Sequence, residues 1–217
     1  MLKNIEAAIF DMDGTLVDSM WVWNNIDSLY LKQHNINSND DFKSEIEHLT
    51  FSQTAEYFKN KFNLEDSVED IINDWNDMAY VEYCNNVPLK PGAKNFLDLL
   101  KKKGIKIGLA TSNCTMLLEA ALKKNEIMDY FDCITTSHEV SRGKNFPDIY
   151  LLCAEKLGVD PNKCIVFEDI LPAVLGAKKA GMTVVGIEDK FSAKDKKEII
   201  NKADYYLSSY ENIENLL

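Results

Sequence analysis

Four acidic residues stand where this 217-residue sequence can use them for chemistry, directly after short apolar runs. Asp11 and Asp13 follow the run AAIF, and Glu168 and Asp169 follow the run CIVF. A short apolar run that ends at polar residues is typical of a strand buried on both faces. We therefore expect each acidic pair at the carboxyl end of a strand. Carboxylates in such places can act as nucleophiles, as general acids and bases, and as ligands of a hard metal ion.

Neutral and basic groups accompany these acids at comparable positions. Thr111, Ser112 and Asn113 follow the apolar run IKIGLA, and Lys144 lies in the loop before a helix predicted to begin near Pro147. In an open parallel sheet, ligands bind beyond the carboxyl ends of the strands. The sequence thus predicts that four separate connections bring carboxylates, a hydroxyl group and one ammonium group to a common edge.

These groups together are suited to phosphoryl transfer. A carboxylate such as Asp11 can attack phosphorus to give an aspartyl-phosphate that water hydrolyses, and Mg²⁺ on oxygen ligands would offset the repulsion between the two anions. Lys144 and the Thr111 hydroxyl can bind the phosphoryl oxygens. Asp13 is placed to serve as general acid and then as base. Gly14 permits a sharp turn that directs backbone N–H groups toward phosphate.

The rest of the sequence supplies the elements that would position these groups. After Pro88, short apolar runs alternate with helical segments, a pattern that predicts an α/β fold with a doubly wound parallel sheet. Residues 18–86 instead show helical periodicity and carry all three tryptophans. We therefore expect an α/β core domain of residues 1–17 and 87–217, interrupted after its first strand by an all-helical domain of residues 18–86.

The segment FDMDGTLVDS resembles the first signature of the haloacid dehalogenase superfamily, in which DxDGT follows the first strand. The later signatures of that family occur in the same order: a strand ending at Thr111, Lys144 within RGKNFPDIY, and FED followed by AGM. The resemblance covers nearly the whole chain. It implies a Rossmann-like core, and it identifies the helical insertion with the small cap domain that closes over the substrate in this family.

The resemblance also implies a role for each acidic residue. Asp11 would be the nucleophile, and Asp13 the general acid and base that also binds the metal through its backbone carbonyl. Asp169, with Glu168 beside it, would complete the Mg²⁺ site. Dehalogenases of the superfamily lack the second aspartate of the first signature, so Asp13 favours phosphoryl chemistry.

The sequence departs from the family pattern in two ways. Asn145 stands where a proline usually follows the signature lysine, which changes the stiffness of that loop. Ile170 and Ala173 replace a serine and a glycine that often follow the acidic pair, which removes a hydroxyl group near the metal site. Neither departure removes a group that the chemistry needs.

Each of these groups also has an ordinary structural interpretation. A calcium loop counted from Asp11 would need glycine and glutamate where Leu16 and Val22 stand, so that alternative fails. Taken alone, Glu168 and Asp169 could form a solvated turn and Lys144 could be a surface lysine. Thr111 could simply start the helix that follows its strand, a role compatible with binding phosphate.

Aromatic and histidine residues carry weaker signals. Trp21 and Trp23 could face a substrate, although tryptophan at helical spacing more often packs a core. His34, His48 and His138 are isolated, without metal-ligand spacing, and receive no role.

Hydrolysis of a small phosphate ester is the function that the sequence favours, with a phosphosugar mutase such as β-phosphoglucomutase as the alternative. In that family a cap arginine of the mutase grips the second phosphate of a bisphosphate. The only arginine here, Arg142, lies next to Lys144 in the predicted core. Lys43 or Lys59 could substitute less specifically. A non-catalytic binding or regulatory relative is a further alternative, but no group of the site is missing.

Composition narrows the class of partner. Lys and Arg number 24 against 35 Asp and Glu, a net charge of -11 that disfavours nucleic acid and anionic membranes as partners. The five cysteines are odd in number and scattered, which favours free thiols. We see neither a signal peptide nor an apolar stretch of membrane-spanning length. We therefore expect a cytoplasmic monomer that acts on a small phosphorylated metabolite.

Overall fold

The structure of the chain is a computed structural model that describes residues 4–36, 42–46, 49, 51–211 and 213. His48 lies outside these ranges, and the side chain of Lys43 is outside the described part as well. Among the described helices, none is both long and apolar enough to cross a lipid bilayer.

Six parallel strands form one sheet in the order β3-β2-β1-β4-β5-β6. Their bounds are β1 Ala7–Phe10, β2 Lys106–Thr111, β3 Cys133–Thr136, β4 Cys164–Glu168, β5 Thr183–Ile187 and β6 Tyr205–Leu207. The chain builds outward from β1 to β3 and then returns to the other side of β1 for β4. This reversal opens a crevice at the carboxyl end of β1, where ligands bind in sheets of this kind.

Nine α-helices lie in the described part of the chain. Five of them come between β1 and β2, and the first four belong to the helical insertion: α1 Met20–Gln33, α2 Lys43–Ile46, α3 Phe51–Phe62 and α4 Val68–Asn85. The others are α5 Ala93–Lys102, α6 Thr115–Lys124, α7 Asp148–Leu157, α8 Leu171–Lys179 and α9 Lys196–Lys202.

Helices cover both faces of the sheet because successive strand residues point in opposite directions. In β1, Ala7 and Ile9 pack with α7, α8 and α9, whereas Ala8 and Phe10 pack with α5 and α6. All four residues are completely buried, as expected for a parallel sheet between two helical layers. The predicted α/β class and doubly wound parallel sheet are therefore confirmed.

The helices of the insertion pack around aromatic side chains. Trp75 of α4 is 1% exposed and meets Phe58 and Tyr30 edge to face, with ring centroids 5.0 and 5.8 Å apart. Ser67 and Asp70 form a reciprocal capping box that fixes the start of α4. This helix is consequently well anchored at its N-terminus and in its middle.

The two ends of the helical insertion lie side by side, where residues 17–18 contact residues 88–89. Val17 pairs with Leu89 in an antiparallel bridge, and the Asp18 N–H donates to the Pro88 carbonyl at 3.0 Å. The end of α4 is thereby held close to the loop that follows β1.

Two elements were not anticipated from the sequence, α9 and β6. The β6 segment YYL is too short and too polar at one end for its periodicity to stand out. Strand β4 also runs one residue further than the predicted apolar run, so Glu168 is the last residue of a strand rather than the first residue of a loop. Thr111 is the last residue of β2, as the family resemblance implies.

Candidate active site

A buried lysine links the acidic residues at the centre of the carboxyl edge. Lys144 Nζ donates to Asp11 Oδ1 and, at 2.6 Å, to Glu168 Oε1. The Asp11 N–H donates to the Phe167 carbonyl at 3.0 Å, which ties the loop after β1 to β4. Tyr150 of α7 donates its hydroxyl to the same Glu168 oxygen at 2.8 Å. The structure thus brings the residues of three separate connections into direct contact.

Three carboxylates form a group that can hold a metal ion. Asp11, Glu168 and Asp169 are buried, and each offers an oxygen within 4.8 Å of the others. Glu168 Oε2 is buried and has no hydrogen-bond partner among the described residues, which is costly unless a cation or a water molecule binds it. An all-oxygen set of this kind fits a hard cation such as Mg²⁺.

The backbone of Gly14 lies so close to Asp169 that no side chain fits at position 14. Gly14 has φ +79, and a Cβ on it would lie 2.4 Å from Asp169 Oδ2. Thr15 donates its hydroxyl to Asp169 Oδ1 at 3.1 Å, so a hydroxyl group reaches this carboxylate although Ile170 supplies none. Gly14 is therefore required for the approach of the two loops as well as for the turn.

Burial makes the charged forms of these acids expensive. It raises the pKa of Glu168 to about 7, against the opposing effect of Lys144. Burial and the neighbouring Asp11 raise the pKa of Asp169 as well. Burial would lower the pKa of Lys144, but Asp11 and Glu168 outweigh it and raise that pKa. Lys144 therefore keeps its positive charge, and a second positive charge would stabilise the ionised forms of the neighbouring carboxyl groups.

Asp13 occupies a different place, beside the insertion. Its Oδ1 accepts hydrogen bonds from the Ser19 hydroxyl at 2.6 Å and from the Tyr83 hydroxyl, and its Oδ2 accepts from Asn113 Nδ2 at 2.9 Å. Burial and the nearby charge of Asp11 raise the pKa of Asp13. A carboxyl group that takes up a proton readily is suited to acid and base work.

The residues after β2 divide into two kinds. Thr111 is 1% exposed, and its Oγ1 accepts from the Asn113 N–H at 3.0 Å. Ser112 is exposed and meets the Ser137 hydroxyl at 3.0 Å. Asn113 alone of the three contacts an acidic residue of the site, Asp13.

A cavity of about 480 Å³ opens next to Asp13, between the insertion and the loops after β2 and β3. Its lining consists of Asp13, Trp23, Phe51, Asn76, Ser112, Asn113, Cys114 and His138. Trp23 and Phe51 meet edge to face, with centroids 5.3 Å apart. Among the described lining residues there is neither lysine nor arginine, so apart from Asp13 and His138 the walls are aromatic or neutral.

The loop that carries Lys144 is held from below by α8. A Cβ on Gly176 would lie 1.9 Å from the Lys144 carbonyl oxygen, so only glycine allows this approach. Lys179 donates to the Asn145 carbonyl at 2.9 Å, which braces the loop where the family pattern has proline. Ala173 is completely buried in the same helix.

Arg142 and Lys59, two of the cations considered as phosphate ligands of a mutase, contact other groups. Arg142 pairs with Asp148 at 2.8 Å and lies over the Phe146 ring, 4.4 Å from its centroid. Lys59 donates to backbone carbonyls of residues 64–66.

Several contacts of the site were not predicted, namely those of Thr15, Ser19, Tyr83 and Tyr150 and the cavity lining by Asn76 and His138. Trp23 lines the cavity, where it could face a substrate. The Trp21 Nε1–H donates to the Asp18 carbonyl at 2.8 Å. The tyrosines gave no signal because each lies on a helix far along the chain from the acid that it contacts.

The structure combines a doubly wound parallel sheet, a buried lysine with carboxylates at its carboxyl edge, and a helical insertion after the first strand. This is the arrangement that the resemblance to haloacid dehalogenases implies. The family model for haloacid dehalogenase-like hydrolases matches residues 8–187. The chain belongs to that family and is one of its phosphohydrolases, as the resemblance in the first signature implies.

Relatives extend over almost the entire chain. Hexitol phosphatase B of Escherichia coli is 29% identical over 213 residues, which are 95% of this chain and 93% of that protein. A phosphorylated carbohydrates phosphatase of Thermotoga maritima is 28% identical over 98% of both chains. A crystal structure of β-phosphoglucomutase from Clostridium difficile, 22% identical, superposes with a TM-score of 0.75 over 98% of this chain and 95% of the other. At that identity the superposition shows a shared fold.

Proposed function

We propose that this protein is a Mg²⁺-dependent phosphatase that hydrolyses a small phosphate monoester through an aspartyl-phosphate on Asp11. The observation that carries the proposal is the buried cluster in which Lys144 contacts Asp11 and Glu168, while Glu168 Oε2 has no partner in the part of the chain that the structure describes. The single positive charge of Lys144 does not balance the negative charges of three carboxylates and a bound phosphate. Bound at Asp11, Glu168 and Asp169, with the Asp13 carbonyl as a further ligand, Mg²⁺ would supply the missing positive charge.

The residues of the chain then divide the work. Asp11 attacks phosphorus with the oxygen that Lys144 orients, and Lys144 bonds to the oxygens of the transferring group. Thr111, Ser112, Asn113 and the backbone at Gly14 would bind the remaining phosphoryl oxygens. Asp13 protonates the leaving-group oxygen and then accepts a proton from the attacking water.

The cavity next to Asp13 is the place for the leaving group. Aromatic faces and neutral amides suit a sugar or polyol, whose C–H faces stack on rings while hydroxyls bond to amides. Relatives named for hexitol phosphates and phosphorylated carbohydrates support this class of substrate. A mutase would need a second phosphate site, and the described residues of the cavity lining include neither lysine nor arginine, which favours hydrolysis.

We further propose that residues 18–86 act as a cap. Trp23, Phe51 and Asn76 belong to α1, α3 and α4, and together they form one wall of the cavity. The core contributes the opposite wall through the loops after β2 and β3.

The test is phosphate release with Mg²⁺ from p-nitrophenyl phosphate and from a panel of sorbitol 6-phosphate, glucose 6-phosphate and glycerol 1-phosphate. We expect turnover that falls at least about a thousandfold in Asp11→Asn, because the nucleophile is lost. Asp160→Asn, at an exposed aspartate of the core, is the matched control and should retain full activity. Full activity of Asp11→Asn would refute the proposal. Conversion of β-glucose 1-phosphate with a bisphosphate primer, without net phosphate release, would assign the mutase instead.

A further inference from the structure

The carboxyl group of Asp13 is held by three donors, and two of them act on the same oxygen. Oδ1 accepts from the hydroxyls of Ser19 and Tyr83, whereas Oδ2 accepts from one described donor, Asn113 Nδ2. The orientation of the Asn113 amide is set by the Cys114 N–H, which donates to Asn113 Oδ1 at 2.8 Å. The amide nitrogen must therefore face Asp13 and Tyr83.

The hydroxyl of Tyr83 can act only as a donor toward Asp13. It lies 3.3 Å from Asn113 Nδ2, which donates to it, so its own hydrogen is left for Asp13 Oδ1. Tyr83 is completely buried, and burial together with Asp13 raises its pKa far above the ordinary range. The hydrogen therefore stays on the hydroxyl at any pH at which the enzyme works.

Two hydroxyl donors on one oxygen distinguish the two oxygens of the acid. The carbonyl oxygen of a carboxylic acid accepts hydrogen bonds, and its hydroxyl oxygen donates. With Oδ1 occupied as an acceptor, the acidic proton belongs on Oδ2. The rotation of the carboxyl group is fixed by the same contacts.

We propose that Tyr83 is a positioning residue for Asp13: its hydroxyl, together with that of Ser19, holds Oδ1 as the acceptor oxygen and directs Oδ2 to deliver the proton. The inference rests on the proposed phosphatase function. In the first step the bond from phosphorus to the leaving oxygen breaks, a bond from Asp11 to phosphorus forms, and the Oδ2 proton passes to the leaving oxygen. In the second step water attacks phosphorus, its proton returns to Asp13, and inorganic phosphate leaves Asp11.

The same helix joins this contact to the cavity wall. Asn76 and Tyr83 are seven residues apart on α4, close to two full turns, so they lie on one face. Asn76 lines the cavity while Tyr83 contacts the acid. A leaving group seated against α4 is therefore presented to an acid that the same helix orients.

Tyr83→Phe tests the proposal through the identity of the leaving group. A nitrophenolate leaves without a proton, whereas an alkoxide needs one, so only the alkyl ester depends on a well-oriented acid. We measure kcat/KM, which reports the steps up to departure of the leaving group. The probes are p-nitrophenyl phosphate and whichever of sorbitol 6-phosphate, glucose 6-phosphate and glycerol 1-phosphate the wild type cleaves fastest.

We expect Tyr83→Phe to lower kcat/KM at least about tenfold for the alkyl ester and less than about threefold for the aryl ester. Ser19→Ala removes the other Oδ1 donor and should show the same preference. Tyr30→Phe is the matched control: Tyr30 is also a completely buried tyrosine of the insertion, but its hydroxyl lies 3.4 Å from Asp66. It should leave the ratio of the two rates unchanged.

An equal loss on both esters in Tyr83→Phe, or no loss on either, would overturn this inference and leave the proposed function standing. Failure of the wild type to release phosphate from every ester would overturn the proposed function, and this inference with it.

Discussion

At the scale of single residues, the site depends on close approaches that only particular side chains permit. Lys144 contacts two carboxylates at once, and Asp169 lies in the space that a side chain at position 14 would occupy. Burial increases the energetic cost of losing any of these contacts, because a buried charge without its partner cannot be solvated by water. Small substitutions here should consequently change chemistry before they change the fold.

Gly14→Ala should damage the proposed metal site specifically. The new Cβ would lie 2.4 Å from Asp169 Oδ2, so the carboxylate must move away from Asp11 and Glu168. We expect the Mg²⁺ concentration for half-maximal activity to rise at least about tenfold, measured by titration of phosphate release.

Gly181→Ala is the matched control for that substitution. Gly181 has φ +77, nearly the φ +79 of Gly14, but a Cβ there would meet nothing within 4 Å. Both variants should lose about 1 kcal/mol of unfolding free energy from the left-handed backbone. An equal shift in Mg²⁺ dependence in both would contradict the steric explanation.

At the scale of elements, helix α8 supports the loop that carries Lys144. The helix can approach only because residue 176 is glycine. Lys179, one turn further along, donates to the Asn145 carbonyl of the same loop. The loop without the family's proline is thus braced by a neighbouring helix.

Gly176→Ala should lower both stability and activity. Alanine in a helix is ordinarily favoured over glycine by about 1 kcal/mol. Here the Cβ would lie 1.9 Å from the Lys144 carbonyl oxygen, and the cost of such overlap, about 1–3 kcal/mol, outweighs that gain. Denaturant unfolding and kcat measured on the same samples check this. A more stable and fully active variant would show that the loop does not rest on α8.

At the scale of the whole molecule, the protein has a net charge of -11 and buries three of its acidic residues together at the carboxyl edge of the sheet. Each carboxyl group whose pKa is raised on folding favours the folded state at low pH, where it keeps its proton. That advantage is lost as the pH rises through the folded pKa, which for Glu168 is about 7. The metal-free protein should therefore lose stability between about pH 4.5 and pH 7.

Magnesium should reverse this loss, and more strongly at higher pH. Mg²⁺ would bind the ionised carboxylates, so the rise in Tm that it causes should be larger at pH 8 than at pH 5.5. At a Mg²⁺ concentration 100 times Kd, the free energy of unfolding should increase by about 2.7 kcal/mol. Thermal melts with Mg²⁺ or with chelator measure both effects. Glu168→Gln should flatten the pH dependence of the metal-free protein, and a Mg²⁺ effect of equal size at both pH values would contradict the linkage.

The sequence by itself determined the fold class and the family, because both are written in local patterns. Alternating apolar runs and helices predict the parallel sheet, and polar residues directly after those runs must come to its carboxyl edge. Asp11 and Glu168 could be named for that reason, although they are far apart along the chain. Lys144 could be named only from its place among the family signatures.

Only the tertiary structure decided which groups surround Asp13 and what lines the cavity. Tyr83 is 70 residues from Asp13 in sequence, and nothing in the periodicity of α4 distinguishes it from a core tyrosine such as Tyr30. Its contact depends on how the insertion packs on the sheet, which is set by many weak interactions distributed over several helices. Local patterns record the burial of a residue, whereas the partner that it meets is chosen by the packing of the whole chain.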